Sequence, residues 1–184
     1  MSLDTAIADR LPTGAQAHVV APPPRYAVRA AYAAAAAATI GFIPLHAIWA
    51  LGIPLFADPE LFRPWYEDGG AVYLLTLNLL ALLPAVLAIA LVRPWGLVFP
   101  RWVPAFSGRQ VPRILLIAPG VALSVALFAY TVFAAVLMPL QWNNPDAIFD
   151  ARTGIYGIGQ FLIWVGGLAI ATHSYTRRTR RNAG

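Results

Sequence analysis

Four long runs of apolar residues alternate with shorter polar segments along this chain. The runs cover residues 30–55, 71–92, 114–140 and 154–172. Each holds about 20 residues or more, which at about 1.5 Å per residue is enough to cross a hydrocarbon core about 30 Å thick. Because lipid offers the backbone no hydrogen-bond partner, such runs must be helical. The pattern predicts an all-α fold, an integral membrane four-helix bundle.

The segments at the two ends of the chain differ from these runs. Residues 1–27 are mixed in character and include a run of three prolines, which is typical of a disordered tail. Residues 176–184 are rich in arginine. We therefore expect a disordered cytoplasmic tail over 1–27, a four-helix transmembrane domain over 28–175 and a basic cytoplasmic tail over 176–184.

Charged residues divide between two sets of loops. All 13 basic residues are arginine, and all but Arg63 and Arg152 lie in the terminal segments or the middle loop. The acids, apart from Asp4 and Asp9, lie in the other two loops. Since positive charge near helix ends stays in the cytoplasm, both termini should be cytoplasmic. Arginine without lysine, with abundant alanine, glycine and proline, is typical of a high-GC genome and predicts a multi-pass protein of a bacterial inner membrane.

Composition also narrows the classes of ligand. The chain has no cysteine, which excludes disulfides and thiolate-metal sites. The histidines His18, His46 and His173 lie at different levels, so we expect no metal and no cofactor. The net charge of +5 does not indicate nucleic-acid binding, because the arginines stand beside apolar runs. In the middle loop, 93–113, they alternate with aromatic residues, which is typical of a membrane boundary, so we expect membrane lipids as partners and no nucleic acid.

The two acidic loops carry similar motifs. Segments 58–60 (Asp-Pro-Glu) and 144–146 (Asn-Pro-Asp) each place a capping residue, a proline and an acid in the order of a helix start. This predicts a short interfacial helix in each loop. The likeness also favours a duplicated helical hairpin, with the two halves of the chain related by an axis along the membrane normal; chance similarity is the alternative.

Polar residues inside the runs are few, and several share one depth. Counted from the ends at the acidic loops, His46, Asn78, Tyr130 and Gln160 all lie about 9 to 15 Å into the core. Such a layer is either the lining of a cavity or a set of hydrogen bonds between helices. With Trp49 one turn beyond His46, the candidate ligand-binding residues are His46, Trp49, Asn78, Tyr130, Thr131 and Gln160.

His46 is the one residue of this layer that titrates near neutrality, which makes it the candidate catalytic residue. A structural role and a ligand-binding role are the alternatives. An acid/base function needs a partner, and the acids available are those of the two acidic loops.

The segment 45–52, Leu-His-Ala-Ile-Trp-Ala-Leu-Gly, resembles a run found in small uncharacterised four-helix membrane proteins of high-GC bacteria. The resemblance covers one helix end. It implies the same fold class and adds no mechanism.

Three functional classes follow. The first is a non-enzymatic membrane protein that binds a lipophilic molecule or a partner membrane protein through the polar layer. The second is a small membrane enzyme acting on a polyprenyl or terpenoid substrate by acid/base chemistry. The third is a small transporter or immunity protein that works as a homo-oligomer. The absence of charged residues from the apolar runs argues against an ion-driven pump and favours the first class.

Overall fold

Four long helices form the protein. The computed structural model describes residues 20–180, and within them lie α1 (Arg25–Ala50), α2 (Pro59–Ala90), α3 (Ile114–Gln141) and α4 (Ala151–Arg180). Each is long and apolar enough to cross a membrane. Over the described residues there is no strand, only two isolated β-bridges. The prediction of an all-α, multi-pass four-helix fold is confirmed.

The first and last helices extend beyond the limits of the predicted transmembrane domain, 28–175, while the division into domains stays a prediction. The first helix begins at Arg25, inside the segment 1–27 assigned to a tail, because Pro24 provides the extended residue that precedes the first turn. The last helix continues to Arg180, so that all of the described part of segment 176–184, residues 176–180, is helical. The remainder of both predicted tails, residues 1–19 and 181–184, lies outside the described residues.

The four helices pack in the spatial order α2, α1, α4, α3. Helix α4 packs along both α1 and α3, and α1 also packs along α2. Helices α2 and α3 make few direct contacts, which leaves the bundle open on one side. Only 6% of the apolar window of α3 is buried, against 28% to 33% for the other three helices. Helix α3 is therefore the most peripheral element.

The alternating directions of the helices give the bundle two unlike ends. At the arginine-rich end, Arg178 of α4 donates to Leu91 O at 2.8 Å, and the Tyr175 hydroxyl donates to Gly96 O at 3.0 Å. These bonds join the end of α4 to the end of α2 and the loop after it. The acid-rich end holds the loops 51–58 and 142–150. The lipid-facing role predicted for the middle loop, 93–113, stays a prediction.

The two acidic loops turn out to be unlike. Asp58 Oδ1 accepts from the backbone N–H groups of Glu60 and Leu61 at 2.8 and 3.2 Å, and a short helix, Pro59–Trp65, follows as predicted. It forms the first part of α2, and a kink at Asp68 and Gly69 separates it from the long part of that helix. In the other loop the prediction of a helix is wrong. Asn144 Oδ1 accepts only from Asp146 N, at 3.0 Å, and the backbone after it forms turns and a bridge. The duplication of the hairpins stays a prediction.

Helix α1 changes its geometry halfway. Residues Arg25–Ala36 are α-helical, Ala37–Phe42 form π-helical turns, and Ile43–Ala50 are α-helical again. Pro44 lies in the first turn of the second α-helical part and has no N–H to donate to the preceding turn. Because a π turn is wider than an α turn, it presents backbone carbonyls to side chains of neighbouring helices.

Candidate functional site

A cavity of about 520 Å³ lies inside the half of the bundle nearest the acid-rich end. All four helices contribute to its wall. Along α3 it extends from Leu123 to Ala134, a rise of about 16 Å. This volume falls within the range of about 300 to 1,000 Å³ that is typical of small-molecule sites.

The cavity opens sideways, between α2 and α3. Leu80 of α2 and Tyr130 of α3 both line it, and their exposed fractions are 52% and 50%. These two helices make few direct contacts, which leaves a gap between them.

The two acidic loops close the cavity at the acid-rich end. They pair with each other in an antiparallel bridge, in which Asp58 N donates to Ile148 O and Asp150 N donates to Phe56 O, both at 2.9 Å. The bridge holds Phe149 over the end of α1, where its ring lies 4.4 Å from that of Trp49. A lid of packed aromatic residues results.

Aromatic rings form much of the wall below this lid. Phe42 stacks on His46 with ring centroids 3.7 Å apart, and Phe161 lies 6.0 Å from Phe42 in an edge contact. Tyr130 of α3 follows at 5.0 Å from Phe161, and Trp164 stacks on Phe161 at 5.5 Å. These contacts fix the rings of three helices against one another, so the wall is preorganised.

The π-helical turns of α1 hold two polar side chains of α4. Gln160 Nε2 donates to Ala37 O at 3.0 Å, and the Tyr156 hydroxyl donates to Gly41 O at 2.8 Å. Because Ala37 O can only accept, the amide nitrogen of Gln160 must face it, which leaves Gln160 Oε1 as an acceptor. No donor to this oxygen exists among residues 20–180.

His46 is held in the same way by its own helix. Its Nδ1 lies 2.8 Å from Phe42 O. Since that carbonyl only accepts, a neutral His46 carries its proton on Nδ1, and Nε2 is an acceptor. The ring of Trp49 packs against it at 5.1 Å.

Five of the six predicted ligand-binding residues line this cavity. They are His46, Trp49, Tyr130, Thr131 and Gln160. The Thr131 hydroxyl donates to Leu127 O of its own helix at 2.7 Å, and Trp49 Nε1 donates to Leu55 O at 2.7 Å. These two side chains shape the wall, while His46, Tyr130 and Gln160 present polar atoms to it.

Asn78, the sixth candidate, is not part of the lining. It lies one heptad before the buried Ala85, on the face of α2 that packs within the bundle. Its Nδ2 donates to Leu74 O at 3.0 Å, and its Oδ1 is buried without a partner among the described residues. Depth along the helix placed Asn78 in the polar layer, but its direction around the helix takes it away from the cavity.

Sequence reasoning missed most of the aromatic wall. Phe161 and Trp164 share a face of α4 with Gln160 at helical spacing, which is a signal that was available. Trp65 and Phe149 also line the cavity, but Trp65 comes from the short helical segment at the start of α2 and Phe149 from the loop 142–150. No local pattern indicates that these regions fold back over the helices.

The part of the cavity wall formed by residues 20–180 carries no carboxylate. The acids of the described loops are solvent-facing or capping groups, and the two salt bridges of residues 20–180 join Arg63 to Glu67 and Arg152 to Asp150. His46 therefore has no acid within 4.0 Å over this part of the chain. No group of three or more metal-ligating side chains occurs in it either.

No family model, curated protein or solved structure matches this chain. The resemblance of segment 45–52 to small four-helix membrane proteins therefore stays a prediction. The site is interpreted from its geometry alone.

Proposed function

We propose that this protein is a non-enzymatic membrane protein that binds a lipophilic molecule within the bilayer. The observation that carries the proposal is the cavity of about 520 Å³, walled by aromatic rings and open towards lipid between α2 and α3. Its polar atoms are few and lie on fixed side chains, an arrangement typical of ligand sites.

The features of the wall favour binding over the two other functional classes. Acid/base catalysis by His46 needs a partner acid, and the described lining contains none. Transport needs a path to both faces, whereas the arginine-rich half of the bundle is closely packed around Ala34, Ala88 and Leu168. A site with one lateral opening, and with no acid in its described lining, meets neither requirement.

A partner membrane protein is the other occupant that fits this class. Helix α3 is the most exposed of the four helices, and a helix of another protein, or of a second copy in a homo-oligomer, fits against such a face. The ligand is favoured because the cavity continues past the surface, behind α3, to Phe42 and Gln160.

Two glycines of α4 provide a sharp test. A Cβ at either Gly157 or Gly159 meets nothing within 4 Å, but only Gly157 lines the cavity. A Gly157→Phe side chain therefore fills the cavity without a backbone clash. Gly159→Phe adds the same ring and the same gain in helix propensity outside it.

The expected result is a small lipophilic molecule that stays bound when the protein is purified from bacterial membranes and examined by native mass spectrometry. The parent and Gly159→Phe should retain it, and Gly157→Phe should lose it. Equal retention by both variants, or no bound molecule in any of the three, would overturn the proposal. A protein adduct lost on Gly157→Phe would indicate the partner instead.

The orientation and compartment belong to the same proposal. We place both termini in the cytoplasm and the protein in a bacterial inner membrane, because the arginines gather at one end of the bundle. Reporter fusions at Gly184 and within the segment 58–70, at the acid-rich end, test this. An extracytoplasmic signal from Gly184 would reverse the orientation.

A further inference from the structure

The wall of the cavity has no charged side chain among the described residues. Its lining consists of apolar, aromatic, hydroxyl and amide groups together with His46. An ionised head group placed there would lose its water without gaining a counter-ion, which is costly in a medium of low dielectric. The wall therefore selects an uncharged molecule.

Two acceptor atoms in the wall of the cavity receive no hydrogen bond from residues 20–180. Gln160 spends its donor on Ala37 O, and His46 spends its donor on Phe42 O, so Gln160 Oε1 and His46 Nε2 remain. Both donors are held by the same π-helical turns, Ala37–Phe42, so neither side chain turns over without breaking a bond to the backbone. The site is preset to receive a hydrogen bond from a ligand.

The opposite side of the cavity supplies hydroxyl groups. Tyr73 of α2 and Tyr130 of α3 both line it, and each phenol can donate as well as accept. A ligand hydroxyl matches this combination, because it donates to Gln160 Oε1 or His46 Nε2 and accepts from a phenol. A carbonyl alone would leave both acceptors unfilled.

The shape of the cavity fits a single chain. Its length of about 16 Å runs along the helix axes, from the lid to Pro84 and Leu123, and it opens sideways through the α2–α3 gap. The wall at that far end includes Pro84, Leu123 and the ring of Trp164. A chain lying there meets mainly apolar groups.

Resting on the proposed function, we propose that the ligand is an uncharged, hydroxyl-bearing lipophile with one hydrocarbon chain. Its hydroxyl donates to Gln160 Oε1 or His46 Nε2, and its chain extends past Pro84 towards the opening between α2 and α3. The aromatic lid keeps the head group from water.

Brominated chains test this directly, because bromine quenches tryptophan fluorescence on contact. Trp49, Trp65 and Trp164 line the cavity, out of 6 tryptophans in the chain. The protein in phosphatidylcholine nanodiscs is titrated with 9,10-dibromooctadecan-1-ol, 9,10-dibromooctadecane and ionised 9,10-dibromostearate. Subtraction of the quenching seen in Gly157→Phe isolates the signal from the cavity.

The alcohol should bind about tenfold more tightly than the hydrocarbon, and the carboxylate should give no cavity signal. Of Gln160→Leu and His46→Phe, the variant that removes the acceptor of the ligand hydroxyl should weaken binding of the alcohol about three- to tenfold, the effect of one hydrogen bond. Both variants should leave binding of the hydrocarbon unchanged. Thr76→Val is the matched control, since Thr76 donates to Val72 O of its own helix and lies outside the lining.

The outcomes separate this inference from the function on which it rests. Equal binding of alcohol and hydrocarbon, or tighter binding of the carboxylate, would overturn the head-group inference and leave a lipophile-binding cavity. Loss of hydrocarbon binding in both variants would show that Gln160 and His46 only support the wall. The absence of any cavity signal from all three probes would overturn the proposed function itself.

Discussion

The two parts of α1 meet their neighbours in different ways. Between Ala27 and Ala38 the helix presents fully buried alanines, and Gly167 of α4 packs against its backbone. Beyond the π-helical turns the same helix presents His46 and Trp49, and the bundle there encloses a cavity. Small residues let two membrane helices approach closely, whereas large rings hold them apart. The size of the side chains along one helix thus decides where the bundle is closed and where it is open.

The largest loss of stability is expected for a substitution at Gly167, in the closed half of the bundle. A Cβ there would lie 2.4 Å from Ala30 O and 2.9 Å from Ala34 Cβ, so Gly167→Ala must separate α1 from α4. We expect a loss of about 3 kcal/mol in the free energy of unfolding. At Gly166, the adjacent control, a Cβ meets nothing within 4 Å, and Gly166→Ala should instead gain up to about 1 kcal/mol from helix propensity. Steric trapping in bicelles measures both.

Two leucines, one in the closed half and one in the half with the cavity, should differ in how much they contribute to stability. Leu168 has 0% exposure in the closed half, whereas Leu80 lines the cavity and is 52% exposed. Leu168→Ala should lose about 2 kcal/mol, because it leaves a void that neighbouring residues cannot fill. Leu80→Ala should change stability by less than about 0.5 kcal/mol. Thermal unfolding in detergent measures the pair, and equal losses would mean that the two halves are packed alike.

Two tyrosines make the same kind of bond in different surroundings. Tyr175 is 1% exposed and donates to Gly96 O, while Tyr156 is 52% exposed and donates to Gly41 O. Tyr175→Phe should lose about 1.5 kcal/mol, since a buried carbonyl is left unpaired. Tyr156→Phe should lose about 0.6 kcal/mol, the average for a hydrogen bond between membrane helices. Unfolding by a graded detergent mixture compares them, and the reverse order would contradict the assignment.

The smallest effect concerns the lid. Asp58 caps the helix Pro59–Trp65, and Asp58→Ala should lose about 1 kcal/mol. Asn144 holds only a turn, so Asn144→Ala should lose less than about 0.5 kcal/mol. Chemical unfolding followed by circular dichroism measures both losses. A larger loss for Asn144→Ala than for Asp58→Ala would indicate that Asn144 caps a helix, as the sequence predicted.

The sequence predicted those features that depend on neighbouring residues alone. Apolar runs gave four helices, because in lipid the backbone has no alternative. The capping sequence at Asp58 correctly predicted a helix. The similar sequence at Asn144 failed, because Ile148 O and Asp150 N bond to the other loop instead of to a helix of their own. Here the pairing of two distant loops, which no local sequence pattern indicates, determines the backbone conformation instead of the local helix propensity.

The candidate site shows the same division. Depth brought His46, Tyr130 and Gln160 together correctly, because rise per residue is fixed in a helix. It failed for Asn78, whose direction depends on how α2 rotates against α1. The position of the lid residue Phe149 could not be predicted for a further reason. Its ring lies over Trp49 because two loops that are far apart in the chain pair with each other.

The pairing of α1 with α4 also sets the order in which the protein can assemble. Helices α2 and α3 have a mean hydropathy of 2.3, whereas α1 and α4 reach only 1.5 and 1.6. Helix α1 is thus the least hydrophobic of these four helices, and it is synthesised before α4, the helix that packs against its small-residue face. In the finished fold α1 packs along both α2 and α4, and the contact with α4 covers its Ala-rich face. The closed half of the bundle is complete only when translation of α4 ends.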